Sequence, residues 1–162
     1  LYIVNRDQMG KFNTSNDTAI YQELDGALPG GVWAMPAYFN KAVYHGSVGQ
    51  PLKAFTIANA KLQATPTSKS PGTFGYPGTT PSISAKGNTN GTARAIENGG
   101  TGVLHAYDAT NLGTELYNSN QATGGRDQFP DSGNCKFVTP LIANGKVFVG
   151  APTSVVVFGL LP

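Results

Sequence analysis

Four short runs decide how this chain reads: Leu1-Tyr2-Ile3-Val4, Leu52-Lys53-Ala54-Phe55, Leu104-His105-Ala106-Tyr107 and Val155-Val156-Val157-Phe158. Their first residues lie 51, 52 and 51 positions apart. Each run has an apolar first and third residue and an aromatic or β-branched fourth. Self-similarity at a fixed period marks a repeat architecture.

The repeat extends upstream of each run. Met35-Pro36-Ala37-Tyr38-Phe39-Asn40 aligns with Thr80-Pro81-Ser82-Ile83-Ser84-Ala85 and with Thr139-Pro140-Leu141-Ile142-Ala143-Asn144. Then follow Ala42-Val43-Tyr44-His45-Gly46, Thr92-Ala93-Arg94-Ala95-Ile96 and Lys146-Val147-Phe148-Val149-Gly150. Asn144-Gly145 predicts a two-residue hairpin, because both positions tolerate φ > 0 and match the strand twist. Asn40-Lys41 stands in the same place, where a looser turn is expected. The middle unit has a longer connection, Gly87-Asn88-Thr89-Asn90-Gly91. Downstream, 59–63 and 111–117 add a fourth segment. Each unit thus reads as a meander of four short strands. One such meander has two open edges and two apolar faces and cannot stand alone. Stacking the units around an axis is the logic of a β-propeller blade.

Composition agrees with an all-β chain. Only 12% of the 162 residues are charged, while Gly (21) and Pro (11) are frequent. Long solvated helices need more Glu, Lys and Arg than this. Eight Phe, seven Tyr and one Trp supply core-forming rings, which argues against disorder. The net charge is +2 and the basic residues are scattered singly, so nucleic acid is not an expected partner. No apolar run approaches the roughly 20 residues of a membrane span. Cys135, the single cysteine, closes no intrachain disulfide and offers no paired metal knuckle.

The run Leu104-His105-Ala106-Tyr107-Asp108-Ala109-Thr110-Asn111-Leu112-Gly113, followed by Tyr117 and by Pro-x-apolar-x-Asn-Gly-Lys-Val-aromatic-Val-Gly at 140–150, resembles the blade repeat of the pyrroloquinoline-quinone-like β-propeller superfamily. The resemblance implies that Ala106 packs under the next blade, Asp108 ties a turn, and Tyr117 docks between blades. It also gives Gly113 and the three prolines, Pro36, Pro81 and Pro140, structural repeat positions. Two departures stand out: Tyr117 replaces the usual Trp, and one extra residue separates Asp108 from Gly113. In the preceding unit Thr56 stands where the Asp should be. The family is bacterial, and with the low charge and the Asn/Thr/Gly richness this implies a secreted or periplasmic protein.

The units divide the chain into 1–28 (the end of a blade, with strands near 1–5 and 19–24), 29–70 and 71–122 (one blade each), and 123–162 (a last blade lacking its fourth strand). That is about three blades plus a partial one, an incomplete ring against about six to eight blades for closure. The expectation is a C-terminal fragment of a larger propeller, which self-associates or binds the remainder of its ring.

Candidate chemistry is sparse. Quinoproteins of the superfamily hold PQQ with Ca²⁺ on acidic and amide ligands. Asp108 is the best acidic candidate here, but it falls in the turn motif, so no cofactor and no metal site are expected. His45 and His105 occupy non-equivalent strands and are expected as separate polar residues. A hydrolase elbow is absent, since Gly46-Ser47-Val48-Gly49 is one residue short of Gly-x-Ser-x-Gly. Two long polar loops, 65–78 and 124–134, are where ligand contacts tend to sit on a rigid scaffold; Phe74, Tyr76, Arg126 and Phe129 are the candidates. Asp and Asn oxygens of the second loop could hold Ca²⁺, without EF-hand spacing. Trp33 and Phe137 each stand three residues before a repeat proline, with Gly78 at the matching place. Such rings plug a core between blades, or stack on sugars if exposed. Asn13, Asn16 and Asn90 lie in acceptor sequons and mark polar loops. The expected role is a non-catalytic binding or assembly module for a small-molecule or glycan ligand. The alternatives are a fragment of a quinoprotein-like oxidoreductase, or a carbohydrate-binding or hydrolytic propeller.

Overall fold

The computed structural model describes residues 1–130 and 136–160. Among these residues the fold is all-β, about 45% strand, in four antiparallel sheets of two to five strands with no closed ring. The first sheet pairs β1 (Tyr2–Val4) with β2 (Ile20–Glu23). The second is a meander of β3 (Ala37–Phe39), β4 (Ala42–His45), β5 (Lys53–Ala58) and β6 (Lys61–Leu62), with β7 (Ser68–Lys69) added beside β5. The third runs β8 (Ser82–Lys86), β9 (Thr89–Glu97), β10 (Thr101–Asp108) and β11 (Asn111–Asn118), with β12 (Phe129–Pro130) beside β10. The fourth has β13 (Leu141–Ala143), β14 (Lys146–Gly150) and β15 (Val155–Phe158).

The four repeated runs fall on β1, β5, β10 and β15. Cross-strand partners follow the same register in every full sheet: Val43 faces Phe55, Ala93 faces Tyr107, and Val147 faces Phe158. One residue along, Tyr44 faces Ala54, Arg94 faces Ala106, and Phe148 faces Val157. Successive side chains alternate between sheet faces, so this shared register gives each sheet equivalent front and rear faces. The front face carries Tyr44 and Ala54 or their equivalents; the rear face carries Val43 and Phe55 or theirs.

Packing then follows one rule. Front-face Phe39, Tyr44, Leu52 and Ala54 of the second sheet share a buried cluster with rear-face Ala93, Ala95 and Tyr107 of the third. Front-face Ile96 and Leu104 of the third sheet cluster with rear-face Val147 and Val149 of the fourth, and Val156 and Phe158 close around them. Between the first and second sheets, the Gln22 side chain accepts from the Leu62 amide (2.9 Å) and donates to its carbonyl (2.8 Å). The stack is therefore front to rear throughout.

Phe74 and Phe129 finish these interfaces. Phe74 is joined to Gln50 by an isolated bridge and Phe129 pairs with Gly102 in β12, positions one repeat apart. Both rings are buried, and each meets the next sheet edge to face: Phe74 against His105 at 5.8 Å, Phe129 against Phe158 at 6.0 Å. The expected role of Phe74 and Phe129 as ligand contacts is thus corrected, because these loops turn their phenylalanines inward.

The turns also depart from expectation. Asn40 and Lys41 both have positive φ (43° and 65°), so this hairpin is as tight as that of Asn144 and Gly145 (49° and 71°). In the third sheet only Gly87 and Asn88 lie between the strands, and the additional length goes into a register shift between Ser84 and Lys86. The outer edge of the second sheet is built from two short pieces, β6 and β7, whereas in the third sheet the eight-residue β11 is joined by the short β12. Because Phe129–Pro130 pairs with β10, the third sheet continues past residue 122.

Tyr44 ties the second sheet to the third by a polar link. Its buried hydroxyl donates to the Ala109 carbonyl at 2.6 Å, and burial, with the Asp108 charge second, pushes its pKa up to about 12. Removing the donor leaves a buried carbonyl unpaired, which costs about 1–3 kcal/mol. Tyr44→Phe is expected to lower unfolding stability by that amount in a denaturant titration with an unchanged m-value; a loss below about 0.5 kcal/mol would show the link to be idle.

Candidate functional site

Equivalent chain segments precede the first strands of the three later sheets. Strand β8 touches both β3 and β13, so those segments converge at one end of the stack. There three aromatic rings meet. Trp33 and Tyr76 lie edge to face at 6.3 Å, and Tyr76 and Phe137 do so at 6.2 Å. The Lys136 ammonium sits 5.5 Å from the centre of the Tyr76 ring. All three rings are open to solvent: Trp33 is 60% exposed, Tyr76 52% and Phe137 58%. A row of large exposed rings on a rigid sheet scaffold is the kind of surface that binds something.

Local backbone demands shape the patch. A Cβ at Gly31 would lie 2.6 Å from the Trp33 indole nitrogen, so the indole lies directly over that backbone. Gly78, the repeat equivalent of Trp33 and Phe137, has φ +88°, and its Cβ would stand 3.1 Å from the Gly46 carbonyl oxygen. A side chain there would be strained by both the contact and the backbone, and Tyr76, two residues earlier, supplies the middle ring. Phe137 holds φ +63°, a left-handed conformation that costs a bulky residue about 1–3 kcal/mol.

Beside the rings lies a narrow crevice of about 10 Å³, lined by Trp33, Gly78, Thr79, Asn98 and Phe137 among others. Thr79 spends its hydroxyl oxygen accepting from the Ile96 amide at 3.0 Å. The Asn98 side-chain oxygen is buried and has no hydrogen-bond partner among the described residues. A buried acceptor without a donor carries a cost of about 1–3 kcal/mol. Lys136 and Asn98 escaped the sequence reading. Phe137 was legible by its spacing from Pro140, but its meeting with Tyr76 was not.

The other candidates lie apart. Arg126 is engaged by its neighbour: Nε reaches Asp127 Oδ1 at 2.6 Å and Nη2 reaches Oδ2 at 3.0 Å. The Tyr117 hydroxyl donates to the same Oδ2 at 2.6 Å. Arg126 first, and Tyr117 second, hold the Asp127 carboxyl down to about 2. Asp108 Oδ1 accepts from both the amide and the hydroxyl of Thr110, each at 2.7 Å, which lowers its pKa. This carboxylate staples its turn. Ala106 is buried, and Gly113 donates its amide to the Asn111 side chain at 3.1 Å. Pro81 and Pro140 are buried, while Pro36 is exposed.

Among the described residues no group of three or more His, Cys, Asp or Glu gathers as metal ligands do. The Asp108 carboxylate is committed to its turn. His105 is held by Glu115 (2.6 Å) and Glu97 (3.1 Å) and stacks on Tyr107, whereas His45 lies on β4 opposite Lys53. The Ser47 hydroxyl is buried and donates to the Pro29 carbonyl at 2.9 Å, so its proton goes to a carbonyl rather than a base. Asn13 and Asn16 accept from nearby backbone amides in exposed turns, and Asn90 is exposed with φ 53°. Asp131, Asn134 and Cys135 lie outside the described residues. No helix among those residues is long and apolar enough to cross a membrane. No family model, curated protein or solved structure matches the chain.

His45 gives a pH test of the packing. Burial lowers its pKa, and its Nδ1 has no hydrogen-bond partner among the described residues. Below about pH 6.5 the unfolded chain takes up a proton that the native chain resists, so stability is full above that pH and declines beneath it. Thermal melts from neutral to mildly acidic pH are expected to show a falling Tm, with a shallower slope in His45→Gln. Equal slopes in both would mean the imidazole is not desolvated.

Proposed function

We propose that this chain is a non-catalytic binding module built from propeller-type blades, with a carbohydrate as its ligand. The observation that carries the ligand reading is the exposed row of Trp33, Tyr76 and Phe137. The rings meet edge to face and each stays more than half exposed, and the C–H face of a sugar ring packs on such a surface. The same ligand needs nearby polar groups for its hydroxyls. Lys136 offers a donor beside the rings.

Support for the blade reading comes from the register. Meanders with the same cross-strand partners recur at one period and stack front to rear. Support for a non-catalytic role comes from how the candidate groups are used: Ser47 on a carbonyl, Asp108 in a turn, Asp127 on Arg126. The same reading carries a secreted or periplasmic bacterial address, which the low charge and polar loops favour.

Trp33 is the only tryptophan, so its emission reports directly on the patch. Titration with a panel of oligosaccharides is expected to give a saturable change in emission with at least one of them. By calorimetry, Trp33→Ala should then weaken that ligand about tenfold or more, a loss of about 1.4 kcal/mol. Phe137→Gly should weaken it comparably while keeping Tm near that of the parent, since glycine accepts the left-handed backbone that phenylalanine strains. A broad glycan array with no response would end the proposal.

A further inference from the structure

Lysines scattered singly along the sequence meet at one end of the stack. The turns that join first to second strands, and third to fourth, all lie at the end away from the aromatic row. Over these five turns, 38–43, 56–63, 85–90, 107–112 and 142–147, the chain places Lys41, Lys61, Lys86 and Lys146 with a single carboxylate, Asp108. The turns between second and third strands point the other way, and 46–52, 98–100 and 151–154 carry no charged residue. The two ends of the molecule therefore differ in charge.

Contacts between sheets set the lysine-bearing turns side by side. Phe39, next to the β3–β4 turn, packs so closely on Gly91 that a Cβ there would stand 2.4 Å from its ring. The Tyr44 hydroxyl ties the second sheet to the β10–β11 turn through Ala109. Strand β8 touches both β3 and β13, so the turn of Lys86 stands between those of Lys41 and Lys146. All four lysines are exposed, and among the described residues none is in an ion pair. Asp108 spends its carboxylate on Thr110. Two tyrosines accompany the lysines. Tyr38, 64% exposed, accepts from the Lys41 amide at 3.2 Å, and the Lys61 ammonium stands 5.5 Å from the centre of the exposed Tyr21 ring.

We infer that this end of the stack rests on an anionic bilayer surface. Four ammonium groups spread over separate turns form a broad cationic face, and each such group near anionic headgroups adds to the attraction. Tyrosine, with an apolar ring and a polar tip, suits the boundary between water and bilayer. No arginine stands on any of the five turns, and arginine forks are what a nucleic-acid face uses to grip phosphates. Attachment this way points the row of Trp33, Tyr76 and Phe137 away from the bilayer. That row takes no part in the contact, which keeps this inference independent of the carbohydrate reading.

Co-sedimentation of the 162-residue chain with vesicles tests it. The expected result is binding to vesicles of equal parts phosphatidylcholine and phosphatidylserine, none to phosphatidylcholine alone, and a bound fraction that falls as salt is raised. Lys41→Gln, Lys86→Gln and Lys146→Gln should each lower the partition coefficient about fivefold, with Tm unchanged because these side chains are exposed. Lys69→Gln removes the same charge from an exposed site beside Lys53, at the far end of β5, and should leave partitioning as in the parent. Trp33→Ala should bind vesicles like the parent. Equal binding to both kinds of vesicle, or to neither, overturns the inference. So does a Lys69→Gln chain as weak as Lys86→Gln, which would assign the effect to net charge alone. Retention by a DNA duplex without vesicle binding would give the face to nucleic acid instead.

Discussion

A short antiparallel meander with apolar side chains on both faces is stable only when both faces are covered. That requirement organises this molecule. Because the register between second and third strands is the same in each of the three later sheets, their front faces present the same geometry and their rear faces the matching one. The third sheet, covered on both sides, holds the longest strands and joins the two buried clusters. A slip of one residue in any pairing would exchange the faces and put Phe55 or Tyr107 where Ala54 or Ala106 now sits. The Tyr44 hydroxyl on Ala109 and the Gln22 amide on Leu62 add direction to contacts that burial alone leaves non-specific.

The candidate site is a by-product of that stacking. Sheets related by a common register bring the segments ahead of their first strands to the same end. Two of those segments carry a ring three residues before proline; in the third a side chain would be strained, since Gly78 lies against Gly46 and Ser47. Tyr76 fills the gap, and the three rings form a continuous edge-to-face row. The scaffold brings them together, and nothing among the described residues buries them. Rigid aromatic anchors lose little entropy on binding, which is why such surfaces serve recognition.

Much of the fold was legible because its signals are local and repeated. The apolar runs on β5, β10 and β15 keep their period, and their strands follow from alternation. The turns were harder: Lys41 with positive φ gives no sequence warning, although Asn40 before it does. Phe74 and Phe129 misled because Pro-, Gly- and Ser-rich surroundings look exposed. A signal was available: Gln50 and Gly102 stand one period apart, and so, within a few residues, do the phenylalanines that pair with them. Trp33 and Phe137 could be singled out by their spacing from proline, but the exposure of these rings and their meeting through Tyr76 depend on how three sheets converge. No one-dimensional pattern carries that, nor the orphaned oxygen of Asn98.

The central claim is the front-to-rear stack in a common register, and an NOE spectrum of the selectively labelled chain reads it most directly. The account predicts cross-peaks from the Phe74 ring to His105, from the Phe129 ring to Phe158, and from the Tyr44 ring to Ala109. Absence of these three, or their replacement by contacts from the Phe55 ring to the third sheet, would contradict it.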